Sequence, residues 1–232
     1  MFIANYPLKN MVQKAVMFLH LPLSYGTMHP YRALQRRALS ESMDFIVSEM
    51  PEALSFDTPR ELLVHASKAV TLDGAVAEFG VNKGGTIRFI AAMMPDRIID
   101  GFDSFKGLPE DWRGNMMSAG QFDRRGRLPR VPANVRLHRG WFDETLPAFA
   151  AQSNAPLALL HIDCDLYSST RSIFTHLEDR IAAGTVIVFD EYFNYPAWQM
   201  HEHRAFREFL DRTGRRCRYI GYAYQQVAVV IE

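Results

Sequence analysis

Leu157-Ala158-Leu159-Leu160-His161-Ile162 runs straight into Asp163-Cys164-Asp165, and Thr185-Val186-Ile187-Val188-Phe189 runs into Asp190-Glu191. Each is a short, nearly unbroken apolar run that stops at carboxylates, the pattern of a strand covered on both faces in a parallel sheet. Side by side, two such strands deliver their acids together at the C-terminal edge, where open α/β sheets bind ligands. Asp163, Asp165, Asp190 and Glu191 repel one another there unless something positive lies among them, and a hard divalent cation with oxygen ligands meets that need. So many carboxylates favour magnesium over zinc, and Cys164, one residue from each Asp, points to the opposite strand face. The competing reading is helix capping, with Asp190 and Glu191 ahead of one helix and Asp165 ahead of Ser168-Ser169-Thr170.

Working outward, apolar runs alternate with helix-length segments from Gly74 onward, which predicts βαβ units and a parallel sheet. The expected strands are Ala75–Phe79, Arg97–Phe102, Val135–His138, Leu157–Ile162, Thr185–Phe189, Cys217–Gly221 and Gln225–Ile231. Only Tyr222-Ala223-Tyr224 separates the last two, too little for a crossover helix, so they form an antiparallel hairpin after a helix at about Pro196 to Arg212. Residues 1–68 read as an N-terminal helical layer of the same domain, with Asp57-Thr58-Pro59-Arg60-Glu61 as a helix start, ahead of a ligand-binding domain at 69–232. Gly107 to Pro132, rich in Gly, Arg and Pro, is one long irregular segment and reads as a lid.

The 232 residues, 48% of them hydrophobic, suit a single globular domain. Lys+Arg and Asp+Glu stand at 26 each, which argues against nucleic acid or an anionic membrane as partner and for a small or neutral one. The only cysteines, Cys164 and Cys217, lack zinc or disulfide spacing, so reduced thiols and a cytoplasmic location are expected. Lys9, Lys14 and Pro22 interrupt the N-terminal apolar stretch, and neither a signal peptide nor a membrane span is expected.

Glu78-Phe79-Gly80-Val81-Asn82-Lys83-Gly84-Gly85-Thr86 follows the first strand and leads into a helix. Glycines at such a turn admit a ligand to the backbone, and a nucleotide-like cofactor fits. The spacing is not GxGxxG, and Glu78 suits an ammonium group better than a pyrophosphate; a plain glycine turn with a solvated Glu is the alternative. Asp103, at the exit of the second strand, suits ribose hydroxyls or a helix cap. Trp141 after the third strand suits an adenine or the core. His138 and His161 lie near the same edge and are candidate bases or internally satisfied histidines. His201-Glu202-His203 lacks the i, i+4 spacing of paired ligands and reads as a solvated helix face. Arg124, Arg125, Arg127 and Arg130 read as solvated, and Arg212, Arg215, Arg216 and Arg218 as a basic patch suited to an oligomer contact.

These blocks, together with Gly101-Phe102-Asp103-Ser104-Phe105-Lys106-Gly107-Leu108-Pro109-Glu110, His161-Ile162-Asp163-Cys164-Asp165-Leu166-Tyr167-Ser168-Ser169-Thr170 and Phe189-Asp190-Glu191-Tyr192-Phe193-Asn194, resemble the macrocin O-methyltransferase family. The resemblance runs from about Phe56 to Tyr195. It implies a Rossmann-like, class I methyltransferase sheet of seven strands with the last antiparallel, and S-adenosylmethionine and magnesium as cofactors. It also implies that Glu78, Gly80, Gly84 and Thr86 hold the methionine part of the cofactor, that Asp103 and Ser104 hold its ribose, that Asp163 touches the cofactor and with Asp190 and Glu191 binds magnesium, and that Asp165 is the general base. Where some members carry Asp-Asp, this chain carries Asp190-Glu191.

The expected activity is magnesium-dependent O-methylation of a sugar hydroxyl on a glycoside, either a macrolide deoxysugar or a mannose-type oligosaccharide, by a homodimer. The alternative is a catechol-type phenol, for which Trp112, Phe122, Tyr192, Phe193 and Trp198 would line the pocket.

Overall fold

The structure, a computed structural model, describes residues 29–232, so the part of the expected helical layer before residue 29 lies outside it. Helix α1 (Pro30–Glu49) is followed by a two-residue strand, β1 (Leu54–Ser55), and by α2 (Pro59–Lys68). Then come β2 (Ala75–Phe79), α3 (Gly85–Met93), β3 (Ile99–Asp103) and β4 (Val135–Arg139). The second half runs α4 (Phe142–Ala151), β5 (Leu157–Ile162), α5 (Tyr167–Leu177), β6 (Val186–Phe189), α6 (Glu202–Thr213), β7 (Cys217–Ala223) and β8 (Gln226–Ile231).

The strands form one sheet in the order β1-β7-β8-β6-β5-β2-β3-β4. Pairs β2·β3, β2·β5, β3·β4 and β5·β6 are parallel, while β8 is antiparallel to both β6 and β7, the hairpin the short connection requires. The sheet has eight strands rather than seven because Leu54–Ser55 adds a parallel edge beside Gly221 and Tyr222. Both of its residues are exposed, so no apolar run announces it.

All six residues of β5 and all four of β6 are buried, as expected of strands covered by helices on both faces. The period-2 alternation splits them between two apolar layers. Phe79, Leu160, Ile187 and Phe189 meet Phe149, Phe174, Phe206 and Phe209 of α4, α5 and α6 on one face. Val76, Leu159, Val186 and Val188 meet Leu62, Ala66, Ile87 and Ile90 of α2 and α3 on the other. Helix α2 starts at the expected cap, which is a full capping box: the Glu61 amide donates to Thr58 Oγ1 (3.2 Å) and the Thr58 amide to Glu61 Oε2 (3.0 Å), with Pro59 in the first turn.

Strand order reverses between β2 and β5, since the chain leaves β2 toward β3 and β4 and leaves β5 toward β6 on the other side. Such a switch point opens a crevice beyond the C-terminal strand ends. Backbone bonds carry the ladder past those ends: Gly80 N to Phe102 O (2.9 Å), Asp163 N to Phe79 O (2.9 Å) and Asp190 N to Ile162 O (2.8 Å). The loops bearing the acids are thus fixed by the sheet itself.

Candidate active site

The turn after β2 is built for close approach. Gly80 has φ +99°, and a Cβ there would lie 1.6 Å from the Asp163 carbonyl oxygen, so only glycine lets this turn cross the loop after β5. Gly84 caps α3 in a left-handed conformation, and a Cβ on Gly85 would meet nothing within 4 Å, which leaves open space at the start of the helix. Asp103 holds this turn from beside it, accepting from the amides of Asn82 (2.7 Å, Oδ2) and Phe105 (2.6 Å, Oδ1).

These groups border a cavity of about 380 Å³. Of the expected cofactor residues, Gly80, Thr86, Asp103, Ser104, Trp141 and Asp163 line it. Gly84 and Glu78 are not among its walls. Gly84 faces Pro129 and Arg88, and Glu78 is 1% exposed beneath the turn, with Oε1 3.3 Å from His161 Nδ1 and Oε2 unpartnered. Leu108, Pro109 and Phe122 of the lid segment contribute to the wall. That segment carries no helix or strand and is closed on itself by bonds between Leu108 and Gln121 and between Gly120 and Leu108 (2.9 Å each). It is tied to the body by Ser168 Oγ donating to Glu110 Oε1 (2.6 Å) and by His201 Nε2 at 2.8 Å from the Arg113 carbonyl oxygen.

In the cavity lining, oxygens of Asp163, Asp165 and Glu191 lie within 4.8 Å of one another. Burial first, then the charges of Asp190 and Asp165, push the Asp163 carboxyl well up; burial, Asp190 and Asp165 do the same to Glu191. Asp165, 7% exposed and held at φ +66°, is pushed up to about 7 by burial and Asp190 against a hydrogen bond from Glu191. Asp190 stands outside this triad: its Oδ1 accepts from Gln226 Nε2 (3.2 Å) and lies 3.9 Å from His161 Nε2. The buried His161 ring is therefore set between Glu78 and Asp190, whose charges raise its pKa against the opposing effect of burial. A small oxygen-seeking cation fits this donor set, because Glu191 Oε2 is buried without a partner and oxygens of three carboxyls already converge.

Several expectations are corrected. His138 does not reach the cavity: Nε2 is 2.8 Å from Asp100 Oδ1, and the ring stacks on Phe102 at 4.4 Å between centroids, so it is an internally satisfied histidine. His201-Glu202-His203 is no solvated face, since His201 is 5% and Glu202 0% exposed, and the His203 ring lies against Phe45, Tyr192 and Trp198. Of the five aromatics expected to line a phenol pocket, only Phe122 does; Trp112, Tyr192, Phe193 and Trp198 belong to the core. Arg212 pairs with Glu178, and Arg215 donates to the Glu178 carbonyl (3.2 Å), so part of the expected oligomer patch serves the fold.

The sequence model of the macrocin-O-methyltransferase (TylF) family matches residues 60–213, more than half of the chain. The chain belongs to that family. The family span reaches from α2 to the end of α6 and includes Glu78, Asp103, every acid of the cluster and Glu202. Demethyldecarbamoylnovobiocin O-methyltransferase of Streptomyces niveus is 27% identical over 162 residues, 60% of this chain and 61% of that protein. The 8-demethyl-8-(2,3-dimethoxy-alpha-L-rhamnosyl)-tetracenomycin-C 4'-O-methyltransferase of Streptomyces olivaceus is 30% identical over 145 residues, 51% of this chain and 53% of that protein. The chain thus spans less than two thirds of the length of each. The crystal structure of CalS11, a calicheamicin methyltransferase, shares the fold with a TM-score of 0.59 at 22% identity, covering 90% of this chain and 94% of the other. Among the described residues no helix is long and apolar enough to cross a membrane.

Proposed function

We propose that this chain is an S-adenosylmethionine-dependent O-methyltransferase that uses a magnesium ion to methylate a sugar hydroxyl of a glycoside. The observation that carries the reading is the convergence of Asp163, Asp165 and Glu191 in the lining of a cavity that the glycine turn and Asp103 also line. Membership in the family supports the methyl donor, and the rhamnosyl acceptor in one relative's name supports the sugar. Core placement of four of the five candidate pocket aromatics removes the support for a phenolic acceptor.

When bound, S-adenosylmethionine supplies an electrophilic methyl group, and magnesium supplies the charge that gathers acceptor oxygens and lowers a hydroxyl pKa. Asp163 and Glu191 hold the cation, with Asp190 adding negative charge from beside the triad. Asp165, whose carboxyl opens on the same cavity, takes the proton from the acceptor hydroxyl. Asp103 and Ser104 take the ribose, and Trp141, which lines the same cavity, offers its ring to the adenine. Leu108, Pro109 and Phe122 exclude water from above.

Methyl transfer to a panel of rhamnosides, mannosides and catechols, with magnesium or with chelator, tests the reading. Metal-dependent turnover of a glycoside is expected, with Asp165→Asn lowering the rate by about 10²–10⁴-fold while S-adenosylhomocysteine still binds. Full turnover in chelator, or preference for the catechols, overturns it.

A further inference from the structure

Phe122 combines two properties that the folded chain alone does not explain. It is an aromatic residue at φ +70°, in the left-handed region that bulky side chains avoid. Its ring lines the cavity and is 39% exposed. Phe105, two residues before the lid segment, also has a positive φ (+55°), but its ring is buried in the apolar layer of α2 and α3, and packing holds it there. No such packing encloses Phe122. Asn82 and Asp165 are further left-handed residues that line the same cavity, so strained backbone gathers at this site.

The lid enforces the conformation from both sides of Phe122. The Gln121 carbonyl accepts from the Leu108 amide (2.9 Å) and the Gln121 amide donates to the Ser118 carbonyl (3.0 Å). After Phe122, the Asp123 amide donates to the Gly120 carbonyl (3.1 Å) and the Arg124 amide to the Phe105 carbonyl (3.2 Å). An aromatic side chain fixed in an unfavourable turn and left partly in water is accounted for by a ligand that covers it.

What the cofactor leaves free decides which ligand. In the reading above, the nucleoside and the methionine part occupy the Gly80 turn, Asp103, Ser104 and Trp141. Leu108, Pro109 and Phe122 of the lid, with Ser169 and the acids, make up lining that the cofactor does not use. The lid reaches the acid-bearing loop after β5 through Glu110, which accepts from Ser168 beside Ser169, and the Gln121–Leu108 pairing ties Phe122 to that part of the lid. A pyranose carries hydroxyls around its rim and C–H groups on its faces. An aromatic ring has electron-rich faces that accept such C–H groups and shield them from water. We infer that Phe122 binds the acceptor, its ring stacked on the C–H face of the sugar so that a rim hydroxyl is turned toward the acids. This rests on the glycoside reading above and adds the residue that selects a sugar by its face.

The test is steady-state methylation of methyl α-rhamnoside and methyl α-mannoside, which carry no aromatic aglycone, by wild type, Phe122→Asn and Phe122→Tyr. Asn accepts left-handed backbone and lacks the ring; Tyr keeps the ring. Phe122→Asn should raise the acceptor KM on the order of 10-fold, with a smaller change in kcat, and Phe122→Tyr should recover most of that loss. S-adenosylhomocysteine affinity of the Asn variant should stay within about twofold, and its thermal midpoint should match or exceed wild type, because Asn adopts this conformation more readily than Phe. Should the Asn variant fail to fold, Phe122→Leu, which keeps apolar bulk without an aromatic face, takes its place with the same KM expected. An unchanged acceptor KM in a folded variant overturns the inference. So does S-adenosylhomocysteine binding that weakens in step with the rise in KM, which makes Phe122 a cofactor contact. Absence of turnover of both glycosides by wild type instead overturns the glycoside reading, and this inference with it.

Discussion

His203→Phe should make the protein more stable at neutral pH and less sensitive to acid. Both ring nitrogens of His203 are buried without hydrogen-bond partners, and the ring lies 5.4 Å from Phe45, 5.1 Å from Tyr192 and 4.8 Å from Trp198 between centroids. Burial, reinforced by the Arg207 charge, lowers its pKa from 6.5 to about 4. In the unfolded chain the imidazole protonates below 6.5, whereas the folded one stays neutral until about 4. Stability therefore falls as pH drops through that window. At ~1.4 kcal/mol per tenfold difference in proton affinity, the loss approaches ~3 kcal/mol, reduced by the ring's partial exposure. Phenylalanine preserves the edge-on packing, leaves no nitrogen unpaired and cannot protonate; removing unpaired buried groups should add ~1 kcal/mol at pH 8. Asp163, Glu191 and Glu202, whose raised carboxyls act with the opposite sign, are common to both proteins and cancel in the difference. Urea denaturation at pH 8, 6.5, 5 and 4.5 measures it. The gap between variant and wild type should widen by ~2–3 kcal/mol on acidification; stability curves that stay parallel would refute the reasoning.

His138→Leu should leave the methylation rate within about twofold of wild type while costing ~1–3 kcal/mol, because Asp100, 8% exposed, loses its partner; a 100-fold fall in rate at unchanged stability would restore His138 to the chemistry. Gly80→Ala should lower the thermal midpoint by ~6 °C or more and abolish binding of S-adenosylhomocysteine, since φ +99° and the Asp163 carbonyl leave no room for a methyl group. Gly85→Ala, which meets nothing within 4 Å, should fold like wild type; equal midpoints for the two variants would contradict the account of the turn.

The sheet was legible because buried parallel strands are continuous apolar runs, and Leu157–Ile162 and Val186–Phe189 are buried throughout. Their terminal acids pointed to the cavity for the same reason: a parallel strand has one end at the ligand edge. Strand β1 was illegible because its two exposed residues pair only through backbone. The helix expected from Pro196 begins at Glu202, because Trp198–Met200 forms a separate 3₁₀ turn after Ala197 takes a left-handed conformation. Glu202 is hidden in the sequence by two flanking histidines that share no helical face. The usable signal was its spacing of three, four and seven residues from Ala205, Phe206 and Phe209, which puts a carboxylate on the buried stripe. His138 misled because sequence places it at the ligand edge but cannot show that Asp100 on the neighbouring strand claims its nitrogen.

The central claim, that the acids at two adjacent strand ends hold a cation beside the methyl donor, is met most directly by a crystal structure of the chain grown with S-adenosylhomocysteine and Mn²⁺, read in anomalous scattering. The account predicts one strong peak at roughly 2.1–2.3 Å from carboxylate oxygens of Asp163 and Glu191, with the nucleoside between the Gly80 turn, Asp103 and Trp141. A bound nucleoside with no metal peak at these acids, or a peak ligated elsewhere, would contradict it.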